Sequence, residues 1–233
     1  STRLENAARE PEVVDLARAL QKMGANISGA GSSVVEIEGV ERLGGMAHRV
    51  IPDRIEAGTF LIAAAMTRGE ITVKGARADD LRELVTALES AGVVLRDNGD
   101  GMTARCDKRP SAVNVATAPH PGFATDLQAQ FMALMCLADG EAIVTENIFE
   151  NRFMHVPELT RMGADIKTRG ATAIVTGVGR PKGSPALATD LRASAALLLA
   201  RLPAEGDPDS NRASPPHPRT PHLAATRAPP SPE

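Results

Sequence analysis

The sequence of 233 residues predicts an α/β fold built from pseudo-symmetric repeats, because patterns typical of helices and strands alternate along it. An aspartate opens each of three apolar helical segments, at intervals of 73 and 64 residues: Asp53, Asp126 and Asp190. A glycine follows each of three amphipathic segments, at intervals of 68 and 71 residues: Gly24, Gly92 and Gly163. A period this long does not suit a solenoid. We expect about three units, each an apolar helix, a strand, an amphipathic helix and paired strands, with the apolar helices buried behind sheets.

Residues 1–51 fit the end of one unit. Residues 2–8 resemble a strand end that enters a loop, and Pro11 suits the first turn of a helix. Apolar side chains then recur at helical spacing until Gly24, which can end the helix in a left-handed conformation. Residues 34–40 are rich in β-branched side chains and predict a strand. The chain therefore begins, on this interpretation, midway through a first domain.

Pro52 interrupts the chain, and we expect a second domain over residues 52–206. Asp53 can cap the apolar helix predicted over residues 57–66. The rest of this unit is predicted as a strand, a helix and a hairpin: residues 70–74, 79–92, 93–96 and 102–106. The following unit repeats this order, with helices over residues 126–138 and 156–162, strands over residues 141–145, 166–168 and 172–175, and a last apolar helix that opens near Asp190.

Composition indicates an ordinary globular protein, with 42% hydrophobic and 24% charged residues. A net charge of -3 and the absence of Trp and Tyr argue against a nucleic-acid partner. No apolar run is long enough to cross a bilayer, and no signal peptide is recognisable. Cys106 and Cys136 lack the spacing of a zinc site and are too few for a disulfide scaffold. The five histidines show no metal-ligand spacing either, so we expect a cytoplasmic protein without metal.

The strongest candidate for a site is the stretch over residues 118–130. Two prolines and a glycine shape a loop that leads into a helix expected to be buried on every side. Thr125 is predicted as the N-cap of this helix, with Gln128 at the capping-box position. The loop would thus deliver the carboxylate of Asp126 to the positive end of a buried helix. A plain capping role for Asp126 is the simpler interpretation.

The repeat places acidic and basic residues at three helix starts. If the helices lie side by side, their N-termini converge on one surface and attract phosphate or carboxylate. Arg54 and Arg192 would add forked donors for the same anions. An ionised Asp126 among them could accept a proton from a substrate hydroxyl. This combination indicates phosphoryl or phospho-sugar chemistry, and three helix caps beside solvated arginines are the alternative.

The end of the chain has a different composition. Residues 203–233 hold nine of the 17 prolines and show no helix or strand periodicity. We therefore expect a disordered tail over residues 207–233. The third repeat would then be incomplete.

Seven stretches of the sequence resemble, in order, motifs of the UDP-N-acetylglucosamine 1-carboxyvinyltransferases, a family of bacterial enolpyruvyl transferases. These stretches are NAAREPEVVD (6–15), GVERLGG (39–45), PDRIE (52–56), TAPHP (117–121), TDLQAQ (125–130), FENRFMH (149–155) and ATDLRAS (188–194). The resemblance implies a two-domain, inside-out α/β barrel. It also implies transfer of the enolpyruvyl group of phosphoenolpyruvate to the 3-hydroxyl of UDP-N-acetylglucosamine, the first committed step of peptidoglycan synthesis, with no metal or organic cofactor.

The resemblance also implies roles for residues at matching positions. Asp126 matches the aspartate that contacts the sugar 3-hydroxyl and is favoured as its base. Asp190 matches a second aspartate at the reacting carbon, and Arg192 matches an arginine on the phosphoenolpyruvate side.

Other matches concern binding and domain closure. Ile148 matches a backbone contact to the nucleotide sugar, and Glu150 and Arg152 match residues that line the site. Asp53 and Arg54 match the interdomain hinge, where they would help the two domains to close.

The sequence also departs from the family pattern. The family's Lys-Asn pair and its cysteine-bearing loop, the usual general acid, would lie before Ser1, and neither Cys106 nor Cys136 sits in a matching loop. After Gly206 the match ends abruptly, as if the reading frame had shifted. We therefore expect an incomplete chain that lacks the N-terminal half, binds weakly and turns over negligibly alone.

Three alternatives stay open at the level of sequence. The chain is a non-catalytic remnant that binds nucleotide sugar weakly or not at all, or a fragment whose open sheet edge leads to aggregation. The third alternative is a relative that acts on shikimate 3-phosphate, which the motif over residues 149–155 disfavours.

Overall fold

The computed structural model describes residues 1–179 and 191–202. The strands are β1 (Thr2–Glu5), β2 (Asn26–Ser28), β3 (Val34–Glu38), β4 (Glu70–Lys74), β5 (Val94–Asp97), β6 (Gly101–Arg105), β7 (Val115–Ala116), β8 (Glu141–Thr145), β9 (Asp165–Arg169) and β10 (Thr172–Thr176). The α-helices are α1 (Pro11–Lys22), α2 (Arg54–Thr67), α3 (Arg82–Ser90), α4 (Gln128–Leu137), α5 (Val156–Arg161) and α6 (Leu191–Arg201). Short 3-10 turns precede α3 and α4, at Ala78–Leu81 and Thr125–Leu127.

Three sheets repeat one connectivity. In each, a strand, a helix and a two-stranded hairpin follow one another, and the last strand of the hairpin lies in the middle of the sheet. The strand orders are β1-β3-β2, β4-β6-β5 and β8-β10-β9. All of these neighbours are antiparallel, and β7 extends the third sheet as a parallel neighbour of β8. The structure thus confirms the repeated unit that the spacing of aspartates and glycines predicted.

The apolar helices α2, α4 and α6 form the centre of the fold and contact one another. Every residue of α4 is buried, as expected for a helix that has no polar face. The sheet of β4 and β6 packs against α2, and the sheet of β8 and β10 packs against α4. Sheets on the outside and helices on the inside give the predicted inside-out α/β arrangement.

Glycines end the amphipathic helices in the way the sequence predicted. Gly24, Gly92 and Gly163 follow α1, α3 and α5 with φ angles of 100°, 91° and 92°. This left-handed conformation strains residues that carry a Cβ, so glycine is favoured there. Asp53 caps α2 as predicted, because its Oδ1 accepts hydrogen bonds from the amides of Ile55 at 2.8 Å and Glu56 at 3.1 Å.

Most of the buried hydrophobic residues of the described ranges form two clusters. The smaller cluster contains Ala17, Ile27 and Val35, and the larger one draws all of its buried members from residues 57–200. The change from one cluster to the other falls near residue 52, where the sequence predicted a domain boundary. The boundaries at residues 52 and 206 stay predictions. The calls of a disordered tail and an incomplete third repeat fall on residues 203–233, outside the described ranges.

A backbone contact makes Gly101 essential to the sheet of β4, β5 and β6. A Cβ at this position would overlap the carbonyl oxygen of Val73 and approach the Cα of Lys74 to 2.8 Å. Gly101→Ala must therefore push β4 and β6 apart, and we expect it to lower the free energy of unfolding by roughly 1–3 kcal/mol. Urea denaturation followed by circular dichroism measures this. Gly39→Ala is the matched control, because no atom lies within 4 Å of its Cβ position, and equal stability of both variants would contradict the packing argument.

Candidate functional site

The starts of α2 and α4 lie together. A Cβ at Gly58 in α2 would come within 2.8 Å of Leu127 Cδ1, which immediately precedes α4. Gln130 in α4 donates a hydrogen bond from Nε2 to Thr59 Oγ1 in α2, at 3.2 Å. Two of the three helix starts therefore converge, as the repeat predicted. The third apolar helix, α6, begins at Leu191, and Asp190 before it lies outside the described ranges.

Asp126 lies in the 3-10 turn at the start of α4, and Arg152 reaches it from the loop after β8. Arg152 Nη2 is 3.1 Å from Asp126 Oδ1, with side chains that are 18% and 36% exposed respectively. The pair is thus partly shielded from water but open to a ligand. The positive end of the helix and the guanidinium both face this carboxylate, which suits a site that binds an anionic molecule.

A buried carboxylate, Glu146, lies behind this pair and is only 3% exposed. Its Oε1 accepts hydrogen bonds from Thr117 Oγ1 at 2.9 Å and from the amides of Ile148 and Phe149 at 2.9 and 3.1 Å. Its Oε2 accepts from Thr125 Oγ1 at 2.9 Å. Glu146 therefore ties residues 117–125 to residues 146–152. The sequence analysis missed it, since a glutamate in a polar connection gives no signal of burial.

The predicted N-cap role of Thr125 is wrong. Its side chain makes no cap hydrogen bond at the start of the 3-10 turn or of α4. The hydroxyl instead donates to Glu146 and accepts from Arg152 Nη1 at 2.6 Å. The predicted capping box is absent as well, because Gln128 is the first residue of α4, where its side chain is buried, and not the third. The hydroxyl oxygen of Thr125 that would accept a cap hydrogen bond is used by the Arg152 guanidinium instead.

The loop that carries Ile148, Glu150 and Arg152 presents different groups to the site. Arg152 stacks on the ring of Phe149, with the guanidinium carbon 4.5 Å from the ring centroid. The amide of Ile148 is occupied by Glu146, so a ligand contact through its backbone falls to the carbonyl oxygen. Glu150 is exposed at the turn of this loop. The structure therefore places Arg152 beside Asp126 and ties Ile148 to Glu146 behind the pair, whereas Glu150 is exposed.

Arg54 forms a second charged group at the start of α2. It makes a forked hydrogen bond to Glu12 in α1, with Nε at 3.0 Å and Nη2 at 2.9 Å from the carboxylate oxygens. Burial alone would raise the pKa of Glu12, but the hydrogen bond and charge of Arg54 outweigh it and hold that pKa below its usual value. The pair joins the two hydrophobic clusters, which agrees with a position at a junction between structural units.

His120 lies near the Arg54–Glu12 pair, in the loop before Asp126. Its amide approaches Glu10 Oε1 at 3.5 Å. Burial and the nearby Arg54 charge lower the pKa of the His120 side chain. The imidazole is therefore neutral at physiological pH, and it adds no positive charge to the site.

Asp190 lies outside the described residues, and Arg192 lies in α6 with a side chain outside the described part. Within residues 1–179 and 191–202, no three His, Cys, Asp or Glu side chains are grouped as a metal site. None of the helices in the same ranges has the length and apolar character needed to cross a membrane.

Both thiols are unsuited to acid catalysis. Burial raises the pKa of Cys106, and it raises that of Cys136 to about 12. A general acid is most effective when its pKa lies near the working pH. The structure thus agrees with the expectation that neither cysteine takes the role of the family's cysteine loop.

The sheets that surround buried helices, with charged residues at the helix starts, define the fold class of the enolpyruvyl transferases. The family model for EPSP synthase (3-phosphoshikimate 1-carboxyvinyltransferase) matches residues 1–213. The chain therefore belongs to the EPSP synthase family. This confirms the enolpyruvyl-transferase resemblance that the sequence motifs indicated.

Two curated relatives with one name are similar to this chain over most of its length. The chain is 56% identical over 211 residues to a UDP-N-acetylglucosamine 1-carboxyvinyltransferase of Geotalea uraniireducens (strain Rf4), a match that covers 91% of this chain and 51% of the relative. The corresponding protein of Geotalea daltonii is 54% identical with the same coverage. The chain thus spans about half the length of the curated relatives it matches.

Solved structures agree on the fold. The enolpyruvyl transferase NikO from Streptomyces tendae superimposes with a TM-score of 0.75 at 30% identity, over 87% of this chain and 49% of that one. EPSP synthase from Acinetobacter baumannii gives a TM-score of 0.62 at 18% identity, over 82% of this chain and 48% of that one. The second similarity supports the fold alone.

The Glu12–Arg54 pair gives stability a pH dependence. Since the pKa of Glu12 is lowered by folding, its contribution is present above the unfolded-state pKa and is lost as pH falls through the folded-state pKa. Glu12 is 56% exposed, so solvent screening keeps the contribution under about 1 kcal/mol. Glu12→Gln should be less stable than the wild type at pH 7, and the difference should shrink in urea titrations as the pH falls through the lowered pKa of Glu12. Glu41→Gln, at an exposed glutamate, is the control, and an equal pH response of both variants would refute the pairing.

Proposed function

We propose that this chain contributes to enolpyruvyl transfer from phosphoenolpyruvate to the 3-hydroxyl of UDP-N-acetylglucosamine. The observation that carries the proposal is the Asp126–Arg152 pair at the start of a buried helix, in a chain 56% identical to a UDP-N-acetylglucosamine 1-carboxyvinyltransferase. The 30% identical transferase and the EPSP synthase structure support the fold. We therefore favour the nucleotide sugar over shikimate 3-phosphate, and a cytoplasmic role in peptidoglycan synthesis.

In the proposed reaction, the sugar 3-hydroxyl forms a bond to the enolpyruvyl carbon, inorganic phosphate leaves and the hydroxyl proton is removed. Asp126 is the proton acceptor, because its carboxylate is the partly exposed base of the site. Arg152 holds one carboxylate oxygen at 3.1 Å and so fixes the direction from which the other approaches a hydroxyl. No metal or organic cofactor enters this scheme.

Other family positions complete the proposal. Ile148 contacts the nucleotide sugar through its carbonyl oxygen, and Glu150 reaches the ligand from the exposed turn. Asp190 acts at the reacting carbon, and Arg192 binds the phosphoenolpyruvate side. Arg54, with the helix cap Asp53, lies at the hinge, where the Glu12 pair supports a role in domain closure.

A second candidate function is a non-catalytic remnant that binds the nucleotide sugar weakly or not at all. The burial of both thiols favours it, because burial raises the pKa of Cys106 and Cys136 and leaves neither suited to act as a general acid. Binding and turnover must therefore be tested separately.

Arg152→Ala tests binding. Loss of a charge-assisted contact costs roughly 1.5–3 kcal/mol, so we expect UDP-N-acetylglucosamine to bind about tenfold more weakly or worse. Isothermal titration calorimetry with the full chain measures the dissociation constant. Arg105→Ala is the control, because Arg105, the last residue of β6, forms an exposed ion pair with Asp107. Equal affinity of both variants would place the ligand elsewhere.

Phosphate release tests turnover. The chain alone, given phosphoenolpyruvate and UDP-N-acetylglucosamine, should release no phosphate above background. Addition of the N-terminal half of an intact relative should restore release, and Asp126→Asn should abolish it again, because the amide cannot accept the hydroxyl proton. If neither the chain alone nor the mixture with the added half releases phosphate, the result supports the non-catalytic function. Phosphate release by the chain alone would show that the chain supplies its own acid.

A further inference from the structure

We infer that Glu146 is a positioning residue for the nucleotide-sugar site, and that it acts through Thr125 and Arg152. This inference rests on the proposed function, because it concerns the affinity of the same site. Glu146 does not contact the open side of the Asp126–Arg152 pair. It holds the two loops that bring Asp126 and Arg152 together.

The directions of the hydrogen bonds require a charged carboxylate. Thr125 Oγ1 accepts from Arg152 Nη1, so its single hydrogen is directed to Glu146 Oε2. Thr117 Oγ1 accepts from the amide of Asn147 at 2.8 Å, so its hydrogen is directed to Glu146 Oε1. The amides of Ile148 and Phe149 can only donate. All four partners are donors, and only an ionised carboxylate accepts from all of them.

The burial of Glu146 points to a purpose beyond stability. A carboxylate that is 3% exposed loses hydration that four hydrogen bonds only offset, so such groups contribute little net stability. The network instead fixes geometry. Residues 117–125 lead to Asp126, residues 146–152 lead to Arg152, and Glu146 bonds to both segments.

The relay through Thr125 sets the position of Arg152. The guanidinium uses Nη1 on Thr125 at 2.6 Å and Nη2 on Asp126 at 3.1 Å. If Thr125 turns, Arg152 loses one of the two contacts that orient its plane against the carboxylate. A neutral side chain at position 146 removes the acceptor that keeps Thr125 turned towards it. Arg152 would then still be charged but less well placed.

Glu146→Gln preserves shape and removes the charge. Its amide oxygen can keep the bonds to Thr117 and to the backbone, which leaves the amide nitrogen, a donor, facing Thr125. Thr125 then meets two donors, and its own hydrogen loses its acceptor. Thr125→Val removes the relay without touching Glu146, and Thr125→Ser restores the hydroxyl.

The test measures the full chain in two ways. The first is the dissociation constant of UDP-N-acetylglucosamine, which should rise about tenfold or more in Glu146→Gln and Thr125→Val and stay near the wild-type value in Thr125→Ser. Combined with Arg152→Ala, Glu146→Gln should add less than its separate effect, because both act on the same contact. Additive losses, or an affinity unchanged by Glu146→Gln, would overturn the inference.

The second measurement needs no ligand. The NMR signal of the Arg152 Nε–H group and the hydrogen exchange of the Ile148 and Phe149 amides should change in Glu146→Gln and stay constant in the control Glu141→Gln, at an exposed glutamate of β8. If neither changes, the positioning inference is overturned. If the wild type binds no nucleotide sugar, the proposed function fails by itself, and these signals still decide the inference. Should Glu146→Gln not fold, the Thr125→Val and Thr125→Ser pair makes the same comparison.

Discussion

The contact among the apolar helices α2, α4 and α6 is the constraint on which the rest of the structure depends. A helix without a polar face must be covered on all sides, and α4 is buried from its first residue to its last. The sheets of β4 and β6 and of β8 and β10 provide this cover from outside. Only the ends of such helices can carry polar groups. The described part of the candidate site accordingly lies at the starts of α2 and α4 and in the loop after β8, where Glu146 is buried through its hydrogen bonds.

The polar groups at these ends are organised by hydrogen bonds more than by packing. Phe123 and Phe131 pack edge-to-face at 5.3 Å beneath the loop, but the loops themselves are joined through Glu146 and its four donors. In the water-poor interior such bonds are stronger, and an unpaired member would be costly. The network is therefore costly to disrupt, which makes it a firm support for the partly exposed Asp126–Arg152 pair.

The sequence predicted what local chemistry determines. Helix ends at glycines with positive φ, the Asp53 cap and the buried character of α4 all follow from a few neighbouring residues. The roles of Thr125 and Glu146 were not predicted, because these two hydrogen-bond partners are 21 residues apart in the sequence. The strand β7 was not predicted either, because a segment of two residues has no periodicity. Tertiary partners, which a local pattern cannot show, decided each of these cases.

Two kinds of polar link therefore serve different ends in this fold. The buried carboxylate of Glu146 fixes two loops that belong to one hydrophobic cluster. The Arg54–Glu12 pair, whose carboxylate is largely exposed, joins two clusters that share no buried residue. Exposed pairs contribute little free energy, so this junction yields at lower cost than the site does. A fold that holds the Asp126–Arg152 pair in a fixed geometry while leaving the junction weak is suited to the domain closure that we propose, with Asp126 and Arg152 unchanged in their mutual geometry.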